Sequence, residues 1–279
     1  MDYSKRTKNE LIVRGYTKRT IDQYVMYITD FISYTKAKSI DLESLTEENI
    51  ISYLAFKKEK LTNTSLAMVY SAVHFFVKHT LKSTAINDIK MPKKGKYLPT
   101  VLSKEEVKVL LDTVDKKEKR NKLIIELLYS SGLRVSELCD LKLENIDINQ
   151  ALLNIKSGKG DKDRIVILSK KWIDDYIKFA KKFFKNTPKE YVFCKKNGKP
   201  LSPDTIQKII RDVAKESGIH KHVTPHTIRH SFATHLLEAG ENIRKIQTLL
   251  GHASLSTTQI YTKVSTNEIK KTKSPLDSL

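Results

Sequence analysis

Residues 91–99 read Met91-Pro92-Lys93-Lys94-Gly95-Lys96-Tyr97-Leu98-Pro99, and this run constrains the fold more than any other. Its prolines forbid a continuous helix, and its lysines keep the segment in water. The chain must therefore bury its apolar residues in two bodies, one on each side. At roughly 150 residues per domain, the 279 residues suit that division. The expected parts are a helical domain over 1–90, the basic linker 91–99, a second domain over 100–264 and a tail, 265–279. The linker's lysines could lie along a phosphate backbone or could simply be solvated.

Before the linker the apolar pattern is helical. Ile21, Tyr24, Val25, Ile28, Phe31 and Ile32 fall on one face, as do Leu66, Val69, Tyr70, Val73, Phe76 and Val77. A shorter helix is expected from Thr46 to Lys58, and another before Gly15. After the linker, Ser103 and Glu106 form a capping box, and a very apolar helix follows through Leu123–Leu128 to Gly132. Three strand-like runs come next: Leu143–Ile148, Leu152–Ile155 and Ile165–Leu168. The turn Ser157-Gly158-Lys159-Gly160-Asp161 would join the last two as a hairpin. A helix from Trp172 to Phe184 follows. Ser202-Pro203 and Thr224-Pro225 each read as an N-cap with proline at the first helical position. The fold class is mainly α with a small β-sheet.

The net charge of +19 is spread over both parts, +7 in residues 1–98 and +12 in the remainder. A polyanionic partner, most simply nucleic acid, accounts for such an excess; a lysine-rich surface without function is the alternative. No apolar run approaches the roughly 18 residues of a membrane span. Two cysteines, Cys139 and Cys194, argue against a disulfide framework or a cysteine-rich metal site and suit the cytoplasm.

Arginine is scarce beside lysine, so an arginine next to apolar sequence invites a specific reading. Arg134 follows the apolar helix in Ser131-Gly132-Leu133-Arg134-Val135-Ser136-Glu137-Leu138. It could fork two phosphate oxygens or pair locally with Glu137. In Thr224-Pro225-His226-Thr227-Ile228-Arg229-His230, His226 and Arg229 stack at a helix N-terminus, where an anion is favoured. His226 and His230 could instead ligate a metal with His220, His222 or His235, although no glutamate or cysteine assists; for His230 the core is the reading adopted. Farther on come Leu250-Gly251-His252 and Thr257-Thr258-Gln259-Ile260-Tyr261. Tyr261 is either a nucleophile, which its pKa of about 10 makes dependent on a cationic pocket or a base, or a packing residue.

Taken together and in this order, these motifs, with Gly158-Lys159-Gly160 and the continuation Ser231-Phe232-Ala233-Thr234-His235, resemble the tyrosine recombinase/integrase family. Within it they resemble the Xer group, and Leu255 to Ser265 looks most like the archaeal members. Ile228 stands for a commoner leucine, and Lys263 for a histidine frequent in bacterial relatives. The resemblance implies a helical core-binding domain and an α+β catalytic domain that clamp a duplex. It implies that Tyr261 attacks a scissile phosphate and forms a 3′-phosphotyrosyl bond. Arg134 and Arg229 would stabilise the transition state, with His252 adding a hydrogen bond. Lys159 would be the general acid, with Lys162 as second choice; His226 would assist deprotonation of Tyr261, and Glu137 would orient the site. No metal or cofactor is implied. The implied partners are double-stranded DNA and three further copies in a tetramer on paired sites, with an accessory protein left open. The tail, Ser265–Leu279, would dock on a neighbouring protomer, whereas its composition alone favours a frayed end. Resolution of chromosome or plasmid dimers through a Holliday junction is the expected role; integration of a mobile element and relaxation of DNA in the manner of a type IB topoisomerase are the alternatives.

Overall fold

A computed structural model describes residues 2–93, 99–114, 118–156, 163–186 and 190–251. The chain divides into two compact units, Met1–Tyr97 and Leu98–Leu279. The turn 157–161, most of the linker and everything after Gly251 lie outside the described residues.

The first unit is built from α1 (Tyr3–Val13), α2 (Lys18–Ala37), α3 (Glu47–Lys58) and α4 (Asn63–Phe75). Threonines at positions 17, 46 and 62 cap the last three through their hydroxyls. The predicted faces turn inward: Ile28, Phe31, Val69 and Val73 are fully buried with Ile50 and Tyr53 of α3. The Phe31 and Tyr53 rings meet edge to face at 4.8 Å. The sequence pattern carries α4 on to Val77, but at Phe76 the backbone widens into a π-type turn, Phe76–Leu81. That turn sets Thr80 Oγ1 2.9 Å from Thr7 Oγ1 of α1, so two buried hydroxyls satisfy each other.

In the second unit the expected apolar helix, α6 (Lys119–Ser131), is the core element. Leu123, Ile124, Ile125, Leu127 and Leu128 are all buried. Around it lie α5 (Lys104–Thr113), α8 (Lys170–Phe183), α9 (Pro203–Glu216) and α10 (Pro225–Glu238). Trp172 of α8 donates to the Leu123 carbonyl at 2.9 Å. Ser103 and Glu106 close the capping box on α5. Ser202 and Thr224 cap α9 and α10 ahead of their first-turn prolines. The short α7 (Val135–Cys139) and α11 (Ile243–Leu250) complete the helices used below.

A three-stranded antiparallel sheet, β1 (Ile146–Asp147), β2 (Leu152–Ile155) and β3 (Arg164–Ile167), packs on this core. The register pairs Leu153 with Val166 and Ile155 with Arg164. The first expected strand is shorter than its sequence pattern. Leu143–Asn145 form a 3-10 turn, because Asn145 accepts the Lys142 amide through its own side chain and Leu143 donates outside the sheet, to Glu190. Among the described residues no helix is long and apolar enough to cross a membrane.

One hydroxyl ties the entry of this unit to α10. Ser231 Oγ is fully buried, accepts from the Leu102 amide at 2.9 Å and donates to the Thr227 carbonyl at 2.8 Å. Ser231→Ala strands the Leu102 N–H in the core. The loss expected is about 1–3 kcal/mol, read as a lower urea midpoint for the second unit with an unchanged slope.

Candidate active site

The site is assembled at two helix ends. α6 ends at Gly132, whose φ of +61° is the left-handed conformation that closes a helix. Glycine is required there for a second reason. A Cβ at this position would stand 2.5 Å from the Phe232 ring of α10. This close approach brings α10 against the turn, and the Gly132 carbonyl accepts from Arg229 Nη1 at 2.5 Å. Arg229 Nη2 donates to the Leu250 carbonyl at 2.7 Å. The guanidinium is thus buried, with backbone oxygens as partners.

Arg134 caps α7. Its backbone N–H donates to Glu137 Oε2 at 2.7 Å, and its Nη1 lies 3.0 Å from Glu137 Oε1. The local ion pair anticipated from sequence is therefore present. It is not exclusive, since Arg134 Nη2 also reaches the Gly251 carbonyl at 3.4 Å.

Arg164 enters the same cluster and had no role in the sequence reading. Its Nη1 and Nη2 each donate to one oxygen of Glu137 at 2.7 Å, and its Nε donates to the Leu249 carbonyl at 2.8 Å. Its side chain is 2% exposed, against 26% for Arg134. The signal was strand alternation. Arg164 shares its face with Val166 and Leu168, both buried, while Ile165 and Ile167 point outward. A lone arginine in phase with core residues announces a buried partner. Burial disfavours the charged form of Glu137, but the hydrogen bonds from Arg164 and the Arg134 amide outweigh it. With both guanidiniums adding attraction, the carboxyl lies below its ordinary range.

Three consecutive carbonyls at the end of α11, those of Leu249, Leu250 and Gly251, accept from Arg164, Arg229 and Arg134. His252 follows Gly251 directly in sequence. His252, Tyr261, Lys159 and Lys162 lie outside the described residues. Their placement stays an expectation.

His226 occupies the first turn of α10, on its exposed side. Loss of hydration lowers its pKa, and Arg229 and Arg134 lower it further, which favours the neutral imidazole. His235 is engaged in the core, with the Tyr129 hydroxyl 2.8 Å from its Nδ1. Among the described residues no group of three or more His, Cys, Asp or Glu side chains could hold a metal.

His230 gives the site a pH signature. Burial, then His226 and Arg229, pull its pKa down to about 4 from 6.5. Because the folded pKa lies below the unfolded one, the folded state favours the neutral ring. The associated stability is complete above pH 6.5 and is lost as the pH falls through 4. His230→Gln is expected to flatten the rise of the thermal midpoint over that window relative to the parent. Parallel curves would show that another group titrates there.

Two family models match the chain: the phage integrase family over residues 100–268, and its N-terminal SAM-like domain over residues 4–86. Tyrosine recombinase XerA of Pyrococcus horikoshii is 39% identical over 263 residues, covering 94% of this chain and 88% of that protein. Tyrosine recombinase XerD of Listeria innocua is 35% identical, covering 93% of each. Among solved structures, a XerA recombinase crystal structure matches with a TM-score of 0.58 at 32% identity, covering 97% of both chains. The XerH site-specific recombinase bound to its difH substrate before cleavage matches at 0.74 and 25% identity, covering 90% of this chain and 78% of that one. By sequence over nearly its whole length, and by fold, the chain belongs to the phage integrase family of tyrosine recombinases, enzymes that break and rejoin DNA.

Proposed function

We propose that this recombinase cuts double-stranded DNA by attack of the Tyr261 hydroxyl on a scissile phosphate, with Arg134, Lys159, His226, Arg229 and His252 completing the site. The observation that carries this reading is the convergence of Arg134 and Arg229 on the carbonyls that precede His252. Two guanidiniums, one buried and one half-buried, favour the charge that builds on non-bridging oxygens in the transition state. The neutral His226 ring can accept the phenolic proton. Lys159, which falls between β2 and β3 in the sequence, donates a proton to the leaving 5′-oxygen. The product is a 3′-phosphotyrosyl bond and a free 5′-hydroxyl. The ester energy is retained, so rejoining is the reverse attack by a 5′-hydroxyl and needs no external energy source.

The biological role that fits best is resolution of chromosome or plasmid dimers in the cytoplasm, by four protomers on two paired sites. The resemblance to XerA and XerD supports it. The charge of both parts of the chain supports DNA contact by each.

Covalent trapping on genomic DNA tests the nucleophile and the role together. The parent chain is expected to yield protein-linked fragments that share one chromosomal sequence. Tyr261→Phe is expected to bind the same DNA and yield none. Adducts with the variant would refute the nucleophile; adducts scattered without a common sequence would favour a topoisomerase.

Lys159 has its own test. A duplex with sulfur in place of the scissile 5′-bridging oxygen has a leaving group that needs no proton. Lys159→Ala should cleave it at close to the parental rate while remaining slow on ordinary DNA. Rescue of Lys162→Ala instead would transfer the role to that lysine.

A further inference from the structure

Arg164 holds a central place in the cluster. Its guanidinium is paired on every side: Nε with the Leu249 carbonyl, and Nη1 and Nη2 with the two oxygens of Glu137. The Nε bond fixes the plane of the fork, so both Nη atoms face the carboxylate. Arg134 meets only Oε1 of that carboxylate with its side chain, at 3.0 Å against 2.7 Å for each Arg164 contact. One carboxylate cannot neutralise two guanidiniums, and geometry gives Arg164 the larger share.

We infer that Arg164 is a positioning residue for DNA cleavage, which engages both oxygens of Glu137 and thereby keeps the charge of Arg134 directed to the phosphate. The inference rests on the reading of Arg134 as a phosphate contact. Without Arg164, Glu137 has both oxygens available to Arg134 alone. An Arg–carboxylate fork is then the favoured geometry, and it draws the guanidinium away from the substrate. A buried ion pair of structural value alone has no such consequence. Arg164 would then matter for folding alone: Arg164→Met would strand the buried Glu137 charge and Glu137→Gln would relieve that cost in stability, while folded, DNA-saturated protein cleaved at the parental rate in each variant.

The two cases separate in single-turnover cleavage of a nicked duplex carrying the site recovered by trapping, with binding measured on the same duplex. Arg164→Met should slow cleavage by about tenfold or more at saturating DNA, with the dissociation constant within about threefold of the parent. Adding Glu137→Gln removes the carboxylate charge that captures Arg134. The double variant should therefore cleave faster than Arg164→Met, and approach Glu137→Gln alone. Arg164→Lys keeps the charge and loses the fork; it gives the same comparison if the methionine variant does not fold. A parental rate in Arg164→Lys, or a double variant no faster than the single one, overturns the inference. Arg134→Ala is read in parallel. If it cleaves like the parent, the phosphate role of Arg134 fails. If it is inactive while Arg164→Met cleaves normally, only the positioning role of Arg164 fails.

Discussion

The last carbonyls of α11 are the acceptors on which the cluster depends. A helix leaves its final C=O groups without intrahelical partners, and burial makes that costly. Here Gln247 and Thr248 accept from the Gly251 amide, and the next three carbonyls accept from arginines. The exchange works in both directions. The carbonyls stand at the negative end of the helix dipole, where cations are favoured. The guanidiniums obtain neutral partners in a region with a single nearby carboxylate among the pairs described, Glu137. Cationic groups are thereby held close together by neutral acceptors as well as by Glu137.

The sheet serves this cluster through its register. Arg164 opposite Ile155 places Val166 and Arg164 on the inner face and Ile165 and Ile167 outside. A slip of one residue would bury the isoleucines and expose the arginine. Glu137 would keep only its contact with Arg134, and the Leu249 carbonyl would lose its donor. Gly251 belongs to the same arrangement. It adopts φ of +65°, and a Cβ there would lie 3.1 Å from Arg164 Cδ and Nη1. The hairpin, the end of α11 and α7 are therefore mutually dependent although they are distant in sequence.

That distance explains what could be read from the sequence. Helices and caps rest on local signals. Thr46, Ser103, Ser202 and Thr224 stand where their hydroxyls meet the first free amides, and the apolar faces of α2, α4 and α6 are in phase with the core. The first strand was overread because β-propensity does not register an asparagine that bonds its own neighbourhood. Arg164 was missed because its partners lie 27 and 85 residues away. For Arg134 the sequence offered a local ion pair or a phosphate contact as alternatives. The ion pair exists, but a third residue, invisible to a local pattern, takes most of the carboxylate.

The three arginines are held unequally, and the inequality suits the chemistry proposed. Arg229 makes bonds of 2.5 and 2.7 Å to backbone oxygens and is buried. Arg164 is held by bonds of 2.7 to 2.8 Å and is buried as well. Arg134 is the most exposed of the three, and its bond to Gly251 is 3.4 Å, at the weak limit for an N–H···O contact. A phosphate oxygen that replaced this long bond would exchange a poor neutral acceptor for a charged one. Charge-assisted bonds are about twice as strong as neutral ones, so the exchange is favourable where the same exchange at Arg229 would first break two short bonds. Arg229 then supplies a stationary charge, Arg134 an adjustable one, and the carbonyl released by Arg134 is that of Gly251, the residue bonded to His252.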